Sequence, residues 1–202
     1  MPEGHGSGSG THVPIGPGTY VVPRSAWSVT DYTVRFPEGW TVQYGHVFAR
    51  HHDTDDELGF YAVVVDEIYA DACLGERGDV VTVGPGVQGL VDALLAQPGP
   101  SKRGPVRTAL GGYPAVRIDL SIPSRLQRRN CFTGPGTGVQ VWWSRPADKY
   151  FVLLPAAVAQ VYVLEVDGER QVFLAQMGDP GSTRDRAELQ SVLDSIRIEP
   201  ET

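Results

Sequence analysis

Apolar and polar residues fall into a strict alternation at Tyr32. Tyr32, Val34 and Phe36 take one side and Thr33 and Arg35 the other, the period of a half-buried strand. Pro37-Glu38-Gly39-Trp40 predicts a turn, with proline presetting φ and glycine free to adopt φ > 0. Residues 40–44 and 46–50 predict short strands, and the polar run 51–57 separates them from a longer one at about 59–69. That longer segment carries Phe60, Ala62, Val64 and Ile68 on one face and Tyr61, Val63, Val65 and Tyr69 on the other. Two apolar faces predict a central strand covered on both sides, with Asp66 and Glu67 breaking the pattern near its end.

The period changes at residues 85–97. Val87, Leu90, Val91, Leu94 and Leu95 form one helical stripe, ended by Pro98-Gly99-Pro100. Residues 106–110, the Gly111-Gly112 turn and the alternating Val116, Ile118, Leu120 and Ile122 predict a hairpin. A loop rich in Arg, Gly and Pro follows at 123–138, then strands at 139–143 and 150–154. Asp167-Gly168 between residues 160–166 and 170–177 is the strongest hairpin signal in the chain. The last helix, 183–195, starts at Ser182 with Asp185 three residues on, a capping-box pattern, and buries Leu189, Val192, Leu193 and Ile196. The order predicts an α+β fold, a single antiparallel sheet of about seven strands flanked by two main helices. One domain is expected over residues 18–202, after a flexible Gly/Ser-rich tail at 1–17.

Composition narrows the class. The 41% apolar and 20% charged residues suit a packed core, and a net charge of −7 disfavours a nucleic-acid partner. All 17 basic residues except Lys102 and Lys149 are arginine, and Asn130 is the only asparagine, a bias that points to a GC-rich genome such as an actinobacterial one. No apolar run approaches the ~20 residues that span a bilayer. The Gly4-to-Gly10 stretch is either a native floppy tail or a linker left after removal of an upstream signal or anchor, which leaves room for a membrane tether.

Candidate chemistry is sparse. Gly84-Pro85-Gly86-Val87-Gln88-Gly89 spells a dinucleotide fingerprint, yet no acidic residue lies between Asp92 and Asp119 to bind a ribose, and the neighbouring strands read as hairpins. No cofactor is expected. His46, His51, His52, Asp53, Asp55 and Asp56 are ligand types, but their spacing matches no metal motif, so the run reads as a solvated connection that holds no metal tightly. No catalytic residue is assigned: there is no G-x-S-x-G elbow, and Asp66 and Glu67 fall on opposite faces of a regular strand. A binding surface is expected instead. On regular alternation Val139, Val141 and Trp143 face the core while Gln140 and Trp142 face away, so Trp142 offers exposed aromatic area unless a second layer covers it. Arg125, Arg128 and Arg129 form a basic loop suited to an anionic contact or, more simply, to solvent.

Tyr32-Thr-Val-Arg-Phe-Pro-Glu-Gly-Trp40 resembles the strand and Pro-x-Gly-Trp turn that open actinobacterial exported proteins and lipoproteins of the LpqN type. Val161 to Arg170 and Ala187 to Ile196 resemble their endings, and such proteins have a PsbP-like layered fold. The resemblance implies a small extracytoplasmic accessory or binding domain and carries over no catalytic motif. In such an oxidising compartment Cys73 and Cys131, the two cysteines, are expected to join, the alternative being two reduced side chains that serve as small apolar residues. The expected partner is a protein or small molecule. A small hydrolase or cyclase with a cavity on the sheet, and a purely structural ectodomain, are the alternatives.

Overall fold

The computed structural model describes residues 11–52, 54, 56–123, 131, 138–178 and 182–199. The strands described are β1 (Val13–Pro14), β2 (Gly18–Val22), β3 (Tyr32–Phe36), β4 (Trp40–Gln43), β5 (Val47–Arg50), β6 (Leu58–Val63), β7 (Glu67–Tyr69) and β8 (Val80–Thr82). After helix α1 (Gly86–Ala96) come β9 (Ser101–Leu110), β10 (Tyr113–Ser121), β11 (Val139–Ser144), β12 (Lys149–Leu153), β13 (Val158–Val166) and β14 (Glu169–Met177). Helix α2 (Thr183–Asp194) and β15 (Arg197–Ile198) close the chain.

The single sheet of about seven strands expected from the sequence is instead three sheets, within an α+β fold that is mostly β. An eight-stranded antiparallel sheet in the order β1-β4-β5-β6-β14-β13-β10-β9 forms the centre. A four-stranded sheet, β12-β11-β7-β8, packs with α1 on one face, and a three-stranded sheet, β15-β3-β2, packs with α2 on the other. The extra sheets arise because the 59–69 segment does not run as one strand. It leaves the central sheet after Val63 and rejoins another at Glu67. Asp66 makes the crossing: its carboxylate accepts from the Arg145 N–H at 3.2 Å and its carbonyl from the Val83 N–H at 3.0 Å. The acidic pair that interrupts the apolar pattern is therefore the point where the chain changes sheets.

Local signals form as their chemistry dictates. Asp167 and Gly168 both take φ > 0, at 50° and 84°, the geometry whose twist matches the β13–β14 ladder. At α2 the Ser182 hydroxyl accepts from the Asp185 N–H at 3.2 Å while the Asp185 carboxylate accepts from the Ser182 N–H at 3.1 Å. Helix α1 buries Leu90, Val91 and Leu94 completely, worth roughly 1.5–3 kcal/mol for each side chain removed from water. Val13–Pro14, expected within the tail, pairs with Val42 and Thr41 of β4.

Two cores lie on the two faces of the central sheet. The α2 side holds an aromatic cluster in which Phe36 packs against Phe48 at 4.3 Å and Trp40 at 4.8 Å between ring centroids, and Tyr32 meets Phe173 edge-on at 5.0 Å. Cys73 and Cys131 are joined by a disulfide.

Buried amides link the layers. Gln171 is fully buried, and its Oε1 accepts from the Val29 N–H at 2.8 Å and the Ser28 hydroxyl at 3.1 Å. Its Nε2 donates to the carbonyls of Val63 and Val172 at 3.1 and 2.8 Å. The Tyr32 hydroxyl, also fully buried, has no hydrogen-bond partner among the described residues, and burial holds it above the ordinary phenol range. These two groups predict opposite outcomes on truncation. Gln171→Met should cost about 2–3 kcal/mol by orphaning the backbone groups it serves, whereas Tyr32→Phe should stabilise by about 1 kcal/mol. Urea midpoints of the two variants check this, and a destabilised Tyr32→Phe would overturn the reading of its hydroxyl.

Candidate functional site

The β9–β10 hairpin and the C-terminal half of α2 enclose an open cleft of about 290 Å³. Its position depends on three anchors. The Gly111 carbonyl accepts from the Ile198 N–H at 3.2 Å, and a Cβ on Gly111 would come within 2.7 Å of the Ile198 side chain, so only glycine lets the hairpin turn pack this closely on β15. On the other wall, Glu188 of α2 accepts from the Trp40 indole N–H at 2.9 Å and pairs with Arg50, docking the helix on β4 and β5. Leu193 turns inward from the same helix to close the bottom.

Arg117 and Tyr162 stand opposite each other on β10 and β13 and form the floor. Arg117 pairs with Asp119 two residues on, Nε to Oδ1 at 3.0 Å, and the Tyr162 hydroxyl donates to Gln160 Oε1 at 3.2 Å. Burial raises the Tyr162 hydroxyl above the usual phenol range, and the neighbouring Arg117 draws it partly back, so the phenol stays a neutral donor. Thr108, Gln190 and Asp194 complete the polar rim, with Gln190 Nε2 donating to Asp194 Oδ1 at 2.8 Å. The described lining residues include no histidine and no cysteine. What converges here is a guanidinium, a phenol, an amide, a hydroxyl and a carboxylate, groups that hold a polar ligand by hydrogen bonds and charge.

Of the residues expected to form a binding face, the two that are described, Trp142 and Gln140, are both buried. Trp142 is 1% exposed and stacks on Phe151 at 4.5 Å inside the α1-side core. The ladder between β11 and β12 slips between Gln140 and Trp142, and this bulge reverses the alternation, burying Val141 and Trp142 together and leaving Trp143 half-buried beside Tyr150. Gln140 is also buried, and its Oε1 accepts from the Glu76 N–H at 2.7 Å, fixing the short 3-10 turn Gly75–Arg77. Arg125, Arg128 and Arg129 lie outside the described residues.

The glycine-rich loop serves the fold. Strand β8, which leads into it, pairs antiparallel with β7, so the loop is not part of a parallel βαβ unit. The carbonyls of Gly84 and Gly86 accept from Arg170 Nη1 at 2.5 and 2.9 Å, and the Val65 carbonyl accepts from Nη2 at 2.5 Å. A Cβ on Gly89 would lie 2.6 Å from the Gly84 carbonyl oxygen, so that glycine is there for close packing of loop on helix.

The described histidines divide into two groups. His51 Nδ1 pairs with Asp56 at 2.9 Å and His52 Nδ1 with Glu57 at 3.0 Å, while the His12 ring stacks on His52 at 3.6 Å. Among the described residues no three His, Cys, Asp or Glu side chains are arranged to hold a metal ion, and Asp53 and Asp55 lie outside them. His46 is separate, buried at the β4–β5 turn against Trp27 at 4.1 Å, with Nε2 lacking a hydrogen-bond partner among the described residues.

Sequence reading missed Arg117, Tyr162, Arg170 and Gln171. Gln171 had a signal, a lone amide heading the apolar run Val172-Phe173-Leu174-Ala175. Arg117 and Tyr162 had none, because they are brought together by strand register.

No known family and no curated protein matches the chain. Solved structures with some likeness include a Bacteroides thetaiotaomicron protein (TM-score 0.41, 10% identity), covering 92% of this chain, which spans 49% of that protein's length. LpqN of Mycobacterium tuberculosis, described as involved in cell envelope biogenesis, gives a TM-score of 0.38 at 15% identity over 96% of this chain and 87% of its own. Cyanobacterial PsbP of Synechocystis sp. PCC 6803 gives 0.39 at 11% identity over 98% of this chain and 100% of its own. At TM-scores below 0.5 these likenesses carry no argument about this chain.

His46, at the β4–β5 turn towards the opposite end of the central sheet from the cleft, gives the fold a pH signature. Burial lowers its pKa from 6.5 to about 4, against the Tyr44 carbonyl, which favours the charged ring. The unfolded chain binds a proton that the folded chain refuses between those values, so stability falls as pH drops from about 6.5 towards 4 and is undiminished above 6.5. The loss should reach about 2–3 kcal/mol. Urea midpoints at a series of pH values check it, and His46→Phe should flatten the slope between pH 6.5 and 5, above the range where carboxylates dominate.

Proposed function

We propose that the chain is an extracytoplasmic, non-catalytic binding or accessory domain that takes a polar ligand in the α2–hairpin cleft. The observation that carries the reading is the composition of that cleft: Arg117 and Tyr162 on a rigid floor of paired strands, with Thr108, Gln190 and Asp194 at the rim. Such an array orients and holds a ligand, and its described lining offers no imidazole or thiol to attack one or shuttle its protons. Placement on two ladder-paired strands also suits recognition, because the groups are preorganised before a ligand arrives.

The extracytoplasmic part rests on the Cys73–Cys131 disulfide, since such bonds persist in oxidising compartments and are rare in reducing ones. No described helix is long and apolar enough to cross a membrane. The expected attachment, where there is one, is through sequence upstream of the described residues.

Two measurements test the proposal. Amide NMR titration with a panel of small polar compounds should move Thr108, Arg117, Tyr162 and Gln190 together, and Arg117→Gln should weaken the response at least about tenfold without unfolding the protein. Shifts scattered elsewhere, or chemical turnover of the bound compound, would refute a binding role for the cleft. Alkylation of the protein taken from its native cells, denatured without reductant, should find no free thiol, and two labelled cysteines would remove the compartment assignment.

A further inference from the structure

Strand β9 is the longest strand described, ten residues, and among the described strands it has a neighbour, β10, on one side alone. Its other edge is a row of backbone donors and acceptors with no ladder partner among them. Most of it is open to solvent: residues 103–109 are all exposed, and Val106 keeps 46% of its surface in solvent.

The charge on this edge is one-sided. Lys102, Arg103 and Arg107 are its ionisable residues, all cationic, on a chain whose net charge is −7. Arg103 stands opposite Asp119 on β10, but Arg107 stands opposite Val116 and Lys102 opposite Leu120, so two of the three cations have an apolar cross-strand neighbour. A strand edge recognises another extended backbone, and side-chain charge decides which one. A second copy of this chain is the wrong one. Antiparallel pairing of β9 with itself over the Arg103–Arg107 stretch sets cations opposite or diagonal to cations, which is destabilising. Pro105 lacks an N–H and interrupts the ladder at mid-strand, leaving Val106–Leu110 as an uninterrupted five-residue stretch.

We propose that β9 is a docking edge for an extended acidic segment of a partner protein, which adds to the central sheet as a further strand along Val106–Leu110. The proposal deepens the binding reading above and rests on it, because Thr108, Ala109 and Leu110 belong both to this edge strand and to the cleft wall. Backbone pairing supplies the fit, Arg103 and Arg107 supply the preference for acid, and the cleft receives what the added strand projects towards α2. The cations thus repel copies of the same chain and attract an oppositely charged one.

The test uses the full chain and synthetic peptides in which valine and threonine alternate with glutamate, or with lysine in the same pattern. The glutamate peptide should bind at least about tenfold tighter than the lysine peptide, and Arg103→Glu with Arg107→Glu should reverse the order. Two N-methylated versions of the glutamate peptide, methylated on alternate residues in opposite phase, separate a ladder from mere charge: one phase should lose binding and the other keep it. Bound peptide should also slow amide exchange within Val106–Leu110. Equal binding of the acidic and basic peptides, survival of both N-methylated versions, or self-association through β9 in sedimentation would overturn the proposal. Cleft shifts with small compounds alongside no peptide binding would overturn it while leaving the cleft reading intact. Peptide pairing on β9 with a silent cleft would uphold the docking edge and refute the cleft.

Discussion

Burial of the central strands on both faces governs the rest of the molecule. Of β6 every residue is buried, and β13 and β14 are buried at all but their ends and an occasional polar position. A strand with no wet face must satisfy its backbone wholly within the sheet and must find a covering layer above and below. One helix on each side is too narrow to cover a sheet of eight strands. The two smaller sheets make up the difference, and the chain changes sheets at residues 64–66 because one face of the central sheet needs the strands beyond that point.

A layered design of this kind has many interior seams where loops meet strands, and backbone groups there lie beyond the reach of water. Long polar side chains serve them. Gln171 joins the 28–30 loop to β6 and β14, Gln97 donates to the carbonyls of Tyr69 and Val141, and Gln140 holds the 3-10 turn. Arg170 does the same with charge, binding the Gly84 and Gly86 carbonyls at the start of α1 and the Val65 carbonyl at the β6–β7 crossing at the expense of partial burial, which lowers its pKa. Each such contact is costly when half-made, and these four side chains specify how the layers lie on one another.

How much of this was legible depends on the range of the interactions. The Asp167-Gly168 hairpin, the Ser182–Asp185 cap and the α1 stripe depend on neighbours within a few residues, and each formed as its sequence predicts. The division into three sheets depends on Asp66 meeting Arg145 and Val83, partners that no local pattern announces. Trp142 shows how a single slipped residue defeats an alternation argument: the bulge after Gln140 turns the expected surface tryptophan into core. The cleft was invisible for the same reason, since Arg117, Tyr162 and Asp194 come from three elements and share no motif. The glycine fingerprint was legible in spelling and misleading in meaning, because its glycines answer to Arg170 and to helix packing.

The disulfide has a further consequence for the continuity of the chain. Cys73 and Cys131 are 58 residues apart, and the stretch between them holds β8, α1, β9, β10 and, in the sequence, Arg125, Arg128 and Arg129. A peptide bond cut anywhere in that stretch opens a ring and releases nothing, since both new ends remain covalently attached to the rest. The exposed edge strand therefore lies in a part of the molecule that can be nicked without being shed, and a single cut there divides the polypeptide in two only when the disulfide is also reduced.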